Sequence, residues 1–207
     1  MSIKSYTDNV GNLKKQRNVL FLTSKNAPKA ISQFLHKSEY SVTEETEQIN
    51  SILEYDLAIS YGYKHLIPGS ILKTLKAPPI NLHISYLPFN RGYHPNFWAH
   101  YDGTPSGVSI HLIDQGIDTG EIIFRKQVNF NINHFTFKQT WDQLNSEIEK
   151  MFIEKFNLIV SGKFTTIKQE SRGTFHSNSD LPKNFKGWNS NISEEIKRLK
   201  LLNAMES

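Results

Sequence analysis

Short apolar runs alternate along this chain with segments whose apolar residues recur every three or four positions, and that alternation narrows the folds open to it. Val19–Leu22, Leu57–Ile59, Ile80–Ile84, Val108–Ile113 and Ile122–Phe130 read as strands. Pro28 opens a helix with Ile31, Phe34 and Leu35 on one face. Ser41-x-x-Glu44 has the form of a capping box ahead of a helix carrying Ile49, Ile52 and Leu53. Pro68 and Gly69 open a short helix with Ile71, Leu72 and Leu75, and Pro95 starts another that runs through Trp98 to Tyr101. The longest helix is predicted from Phe137 to about Val160. There Phe137, Trp141, Leu144, Ile148, Met151/Phe152 and Ile159 step mostly by three or four, between a Thr136/Gln139 cap and Gly162. This pattern predicts an α/β layered domain with a mainly parallel sheet, whose ligands bind beyond the carboxyl ends of the strands.

At 207 residues the chain suits one such domain. The segments expected are a polar leader over 1–17, a core domain over 18–165, and a C-terminal extension over 166–207. Within the extension, 173–192 reads as a loop. A final amphipathic helix, about 193–204, packs on the body or pairs with a second chain as a homodimer. The chain has no cysteine, which removes disulfides, thiolate catalysis and sulfur-ligated metals. No apolar run approaches the ~20 residues of a membrane helix, and the first residues lack a signal-peptide core, so the expectation is a cytoplasmic protein off the membrane. The formal charge of +4 is dispersed, and the densest basic segment, Lys197-Arg198-x-Lys200, follows Glu194-Glu195. That distribution argues against nucleic acid as a partner.

Chemistry concentrates between Asn81 and Gly120, which hold four of the eight histidines: His83, His94, His100 and His111. Their spacing fits no strong metal-ligand pattern, and no metal is expected. Asn81 and His83 are i and i+2 on a strand, so they share a face. An asparagine amide can stabilise an oxyanion. Histidine titrates near its unperturbed value of about 6.5 and can take up a proton. An aspartate beside it, here Asp118, fixes the ring and favours its charged form. With no G-x-S-x-G elbow and no cysteine, these groups suit acyl transfer to an amine without a covalent enzyme intermediate. Each residue also has a structural reading. Asparagine forms turns at strand ends, a lone histidine bonds its neighbours, and Asp118 before Thr119-Gly120 caps a turn.

Taken together, Asn81-x-His83-x-Ser85-x-Leu87-Pro88, Arg91-Gly92-x-x-Pro95, Trp98, Gly107-Val108-x-x-His111 and Ile117-Asp118-Thr119-Gly120 closely resemble the signature of the folate-dependent formyltransferases. The resemblance runs in order from about Asp56 to Phe124. It implies a Rossmann-like fold and Asn81, His83 and Asp118 as catalytic residues. It also implies N10-formyltetrahydrofolate as the formyl donor, with its pterin between the segment Tyr63, Lys64, His65, Leu66 and the turn Asp114, Gln115, Gly116, Ile117. His111 aligns with a histidine common near the family's site.

The family includes enzymes for methionyl-tRNA, glycinamide ribonucleotide and nucleotide-linked aminosugars. The stretch after Gly162 is short for an additional tRNA-binding domain. Leu22–Pro28 lacks the glycines that hold the ribonucleotide's phosphate. Ser60-Tyr61-Gly62-Tyr63-Lys64-His65-Leu66-Ile67-Pro68 and Gly173-Thr174-Phe175-His176 are most similar to the sugar N-formyltransferases. The resemblance therefore implies a nucleotide-linked aminodideoxysugar acceptor, of the kind used in O-antigens. Tyr61, Arg91, Gly92, His94, Pro95, Trp98 and His111 are the candidate acceptor-binding residues, and Lys64, Arg91 or Lys126 can meet a pyrophosphate. From Tyr40 to Glu54 the chain is shorter than the family's second strand and helix. A non-catalytic module that binds nucleotide or folate, and a hydrolase of the formyl donor, remain as alternatives.

Overall fold

The computed structural model describes residues 17–51, 55–72, 78–169 and 173–206. All of the expected leader except Arg17 lies outside the described residues, as do Ile52, Leu53 and Leu75 of two predicted helices.

A six-stranded sheet carries the fold. In chain order its strands are β1 (Asn18–Leu22), β2 (Ser41–Glu45), β3 (Leu57–Tyr61), β4 (Ile80–His83), β6 (Gly107–Leu112) and β7 (Ile122–Gln127), and in space they run β2-β1-β3-β4-β6-β7. β1 pairs in parallel with β2 and β3, and β3 with β4. β6 turns against this run. Just past its end the Ile113 N–H donates to the Pro79 carbonyl ahead of β4 at 2.7 Å. On its other side, Leu112 N–H meets Glu121 O at 2.9 Å and Val128 N–H meets Ser106 O at 3.0 Å, the pattern of an antiparallel hairpin. A small parallel pair joins β5 (Arg91–Gly92) to β8 (Phe175–His176). The helices are α1 (Ala30–His36), α2 (Gly69–Leu72), α3 (Pro95–Tyr101), α4 (Phe137–Val160) and α5 (Ile192–Glu206).

Three sequence expectations change. Ser41–Glu45 is a strand, not the cap of a helix: the segment pairs in register along all of β1, from Asn18↔Ser41 to Leu22↔Glu45. Its branched Val42 and Thr43 favour extended backbone, and the Glu44 carboxylate accepts from Ser32 Oγ at 2.6 Å rather than capping a helix. The strand expected to reach Phe130 ends at Gln127. The stretch 173–192 holds β8 and a single 3₁₀ turn at Asn178–Asp180, elements too short to leave a periodic signal. Elsewhere the expected elements stand. Thr136 and Gln139 cap α4 reciprocally, at 2.9 and 3.2 Å. Past the end of α4, Gly162 adopts φ +66°, as a helix-terminating glycine does.

The chain divides into two compact units, Met1–His83 with Ile110–Phe124 and Ile148–Gln169, and Ile84–Ser109 with Arg125–Glu147 and Glu170–Ser207. In the first unit, Leu20, Leu22, Ile49, Ala58 and Ile71 pack with Tyr55, Tyr63 and Ile67. Phe34 meets Phe152 and Phe156 edge-on, the geometry that aromatic quadrupoles favour. In the second, Phe97, Trp98 and Phe137 pack with Ile192, Ile196 and Leu199 of α5, so that helix spends its apolar stripe inside its own unit. Each such fully buried side chain contributes about 1.5–3 kcal/mol.

Candidate active site

β4 alternates in burial: Ile80 and Leu82 point into the core, and Asn81 and His83 share the less buried face. β6, running antiparallel beside it, sets His111 across from Asn81. The turn after β6 returns Asp118 to the same place. The Asn81 Nδ2 lies 3.1 Å from Asp118 Oδ1 and 3.2 Å from His111 Nε2. His83 Nε2 lies 3.6 Å from Asp118 Oδ2, an ion-pair distance, and both side chains keep only 11% of their surface exposed. His111 Nε2 is 3.4 Å from Asp118 Oδ1. The three residues proposed as catalytic therefore meet, with His111 as a fourth member, all within the first unit.

The turn that delivers Asp118 is tightly built. Asp118 adopts φ +54°, a left-handed conformation that aspartate tolerates better than most residues. Asp114 Oδ1 accepts from Gly116 N–H at 3.0 Å and from Thr119 Oγ1 at 2.6 Å. At Gly120 a Cβ would lie 1.8 Å from the Leu112 carbonyl oxygen, so only glycine closes this hairpin. Gln169 Nε2 donates to the carbonyls of Asp118 and Gly120, both at 2.7 Å. Thr119 stands in the Ile117-Asp118-Thr119-Gly120 motif, whereas nothing in sequence marks Gln169. Gln169 acts across about fifty residues, and no local pattern reports such a contact.

The remaining candidates fall into three groups. The segment after β3 exposes Lys64 and Leu66, the latter 71% exposed, with His65 half-buried between them. The turn exposes Asp114, Gln115 and Gly116, with Ile117 half-buried. The Gln115 side chain lies over Gly69 at the start of α2. Tyr63 is occupied structurally: its hydroxyl donates to Glu47 O at 2.6 Å and accepts from Ile49 N–H at 3.2 Å. Tyr61 is 3% exposed and belongs to the core, its phenol pKa pushed up by burial and then by the nearby Glu149.

In the second unit, Arg91 N–H and Tyr93 N–H bond to the backbone around β8, at 3.0 and 2.9 Å. Gly92 has φ +88°, and a Cβ there would meet His176 O at 2.3 Å. His94, at φ +54°, contacts Asn178 Oδ1 through Nε2 at 2.9 Å. Pro95 is buried at the start of α3, and Trp98, 6% exposed, stacks flat on His176 at 3.8 Å. His176 in turn meets Asp102 Oδ2 at 2.9 Å.

Among the described residues no group of three His, Cys, Asp or Glu side chains is arranged to hold a metal ion, and no helix is long and apolar enough to cross a membrane. Fold and site together define an α/β domain in which an amide, two imidazoles and a carboxylate meet. Residues 7–156 match the formyl transferase family, and the chain belongs to it.

Its relatives include the formyltransferase PseJ of Anoxybacillus kamchatkensis, whose crystal structure holds UDP-4,6-dideoxy-4-formamido-L-AltNAc and tetrahydrofolate. The two share 36% identity with a TM-score of 0.79, over 86% of this chain and 96% of that one. A methionyl-tRNA formyltransferase of Clostridium novyi is 32% identical over 140 residues, which are 66% of this chain and 45% of that protein. A dTDP-4-amino-4,6-dideoxyglucose formyltransferase of Mycobacterium tuberculosis is 29% identical over 163 residues, 75% of this chain and 60% of that protein. The chain thus spans about half the length of these two curated relatives.

Proposed function

We propose that this chain transfers a formyl group from N10-formyltetrahydrofolate to the amine of a nucleotide-linked aminodideoxysugar. The observation that carries this reading is the meeting of Asn81, His83 and Asp118 on one strand face and one turn. The relationship to PseJ, which extends over nearly all of that protein, favours a sugar acceptor over tRNA. The donor supplies a carbonyl carbon open to attack by an amine. The residues present suit it: an amide and an imidazole–carboxylate pair converge, and Gln115 of the Asp114–Ile117 turn lies over Gly69, three residues past Leu66.

In this reading His83 takes the proton of the attacking amine and returns it to the donor's N10 as the C–N10 bond breaks, and the Asp118 carboxylate offsets the positive charge of the intervening imidazolium. In the resting site Asp118 Oδ1 also holds an Asn81 N–H. As His83 gains its proton, the carboxylate is drawn towards it. That Asn81 N–H is released to the developing oxyanion, where such a donor is worth about 3–4 kcal/mol. Surface glycan synthesis, a cytoplasmic location and the acceptor-binding roles of Arg91, His94 and Trp98 belong to the same proposal.

The test mixes purified protein with formyl-folate and a panel of UDP-, dTDP- and GDP-linked 3-amino and 4-amino sugars, read by mass spectrometry. The expected result is a gain of one carbonyl unit on at least one sugar, dependent on both substrates. Formate release that ignores the acceptor would make the protein a hydrolase instead, and inertness across the panel would remove the sugar acceptor.

A further inference from the structure

We infer that His111 is a positioning residue, locked as the neutral Nδ1–H tautomer, whose task is to fix the amide of Asn81. This deepens the proposed function and rests on it for its kinetic consequences, though not for its structural one.

His111 is 2% exposed, and its Nδ1 lies 2.8 Å from the Leu112 carbonyl, which only accepts. Nδ1 therefore carries a hydrogen. The question is whether Nε2 carries one as well. Nε2 faces the terminal amide of Asn81 at 3.2 Å, and the same amide atom faces Asp118 Oδ1 at 3.1 Å. An ionised carboxylate only accepts, so the amide atom turned towards both must be the nitrogen. An Asn81 NH₂ that donates to Asp118 meets His111 with its second hydrogen, and Nε2 must then be the bare acceptor. A doubly protonated His111 would oppose two donors at 3.2 Å. Turning the amide to relieve that would oppose two acceptors at 3.1 Å. The Nε2–H tautomer would oppose two acceptors at Leu112. This assignment pairs His111 with both Leu112 and Asn81. His111 Nε2 and Asp118 Oδ1, 3.4 Å apart, are then two acceptors bridged by the one amide nitrogen that donates to both.

The consequence is a division of labour on one nitrogen. His111 holds one Asn81 N–H permanently and sets the plane of the amide. The other N–H, shared with Asp118, is the one that can change partner during the reaction. As a buried side chain with both ring nitrogens engaged, His111 is assigned to the catalytic amide and not to the acceptor sugar.

The direct test is long-range ¹H–¹⁵N NMR on the wild-type protein at neutral pH. One fully buried histidine, identified by its loss in His111→Gln, is expected to show a protonated Nδ1 and an unprotonated Nε2. An Nε2–H or doubly protonated His111 overturns the inference, whatever the enzyme turns over. Kinetics supply a second arm. Glutamine places an acceptor where Nε2 stands, whereas asparagine replaces only Nδ1. His111→Gln is therefore expected to keep kcat within about tenfold. His111→Asn and His111→Leu should lose roughly 100-fold in kcat with KM for either substrate little changed, the pattern of a misplaced catalytic group. A rise in KM at constant kcat would make His111 a binding residue. Equal losses in all three variants, with matched thermal stability, would make it no more than a packing residue. A wild type that shows the expected Nδ1–H tautomer by NMR but transfers no formyl group would overturn the proposed function and leave the tautomer standing.

Discussion

At the scale of single residues, the site depends on charge shared over short distances. Asp118 is bonded to Asn81 and lies 3.6 Å from His83 Nε2, so each of the three should be costly to change. His83→Ala is expected to lower kcat at least ~10²-fold, the low end for a general base. Asp118→Asn keeps the shape and the tolerance for φ +54° while removing the charge, and a loss of similar size is expected in a correctly folded protein. Asn81→Ala is expected to cost ~10²–10³-fold as the loss of an oxyanion donor. Steady-state kinetics on variants with native circular dichroism check all three, and rates close to wild type would remove the assignment. These three residues were legible in sequence because their types and order are distinctive. Gln169 was not, because its value lies in reaching two carbonyls far along the chain.

At the scale of elements, local pattern sufficed where an element is long and failed where it is short. The stripe on α4 reads from spacing alone, and Phe137, Leu144, Ile148, Met151, Phe152 and Ile159 are indeed buried. Trp141, also in that pattern, stays half-exposed beneath the Lys138 ammonium, which sits 5.0 Å from its ring. Leu144→Ala should therefore cost about 2–5 kcal/mol in urea unfolding. Ile153→Ala, at a position 37% exposed, should cost about 1 kcal/mol at most. Comparable losses at the two positions would mean that the helix does not present the face described. At β2 the local signal pointed the other way. Ser41-x-x-Glu44 is a sound cap motif, but five parallel register pairs with β1 outweigh one cap, and propensity yields to tertiary pairing in such conflicts.

Across the whole molecule, unfolding in acid should report a group outside the candidate site. His100, in α3, is packed between Phe130 and Phe137, and its Nε2 is buried without a hydrogen-bond partner. Burial lowers its pKa from 6.5 to about 4. The unfolded chain therefore takes up this proton more readily than the folded one. The stability is fully present above pH 6.5 and is lost as pH falls towards 4, amounting to about 3 kcal/mol at 1.36 kcal/mol per pKa unit. Urea midpoints measured from pH 7 to 4 should fall more steeply for wild type than for His100→Leu, and parallel curves would show that His100 is not buried in neutral form.

By itself, the sequence determined the α/β alternation, the long amphipathic helix, and the identities of the amide, imidazole and carboxylate. Those follow from period, capping and side-chain chemistry, which are local. Only the tertiary structure decided that β6 runs against its neighbours, that Ser41–Glu45 pairs as a strand, and that His111 faces Asn81 and Asp118. Strand direction and hydrogen-bond partners are set by which backbones lie side by side, and residues thirty or fifty positions apart carry no mark of that in their order.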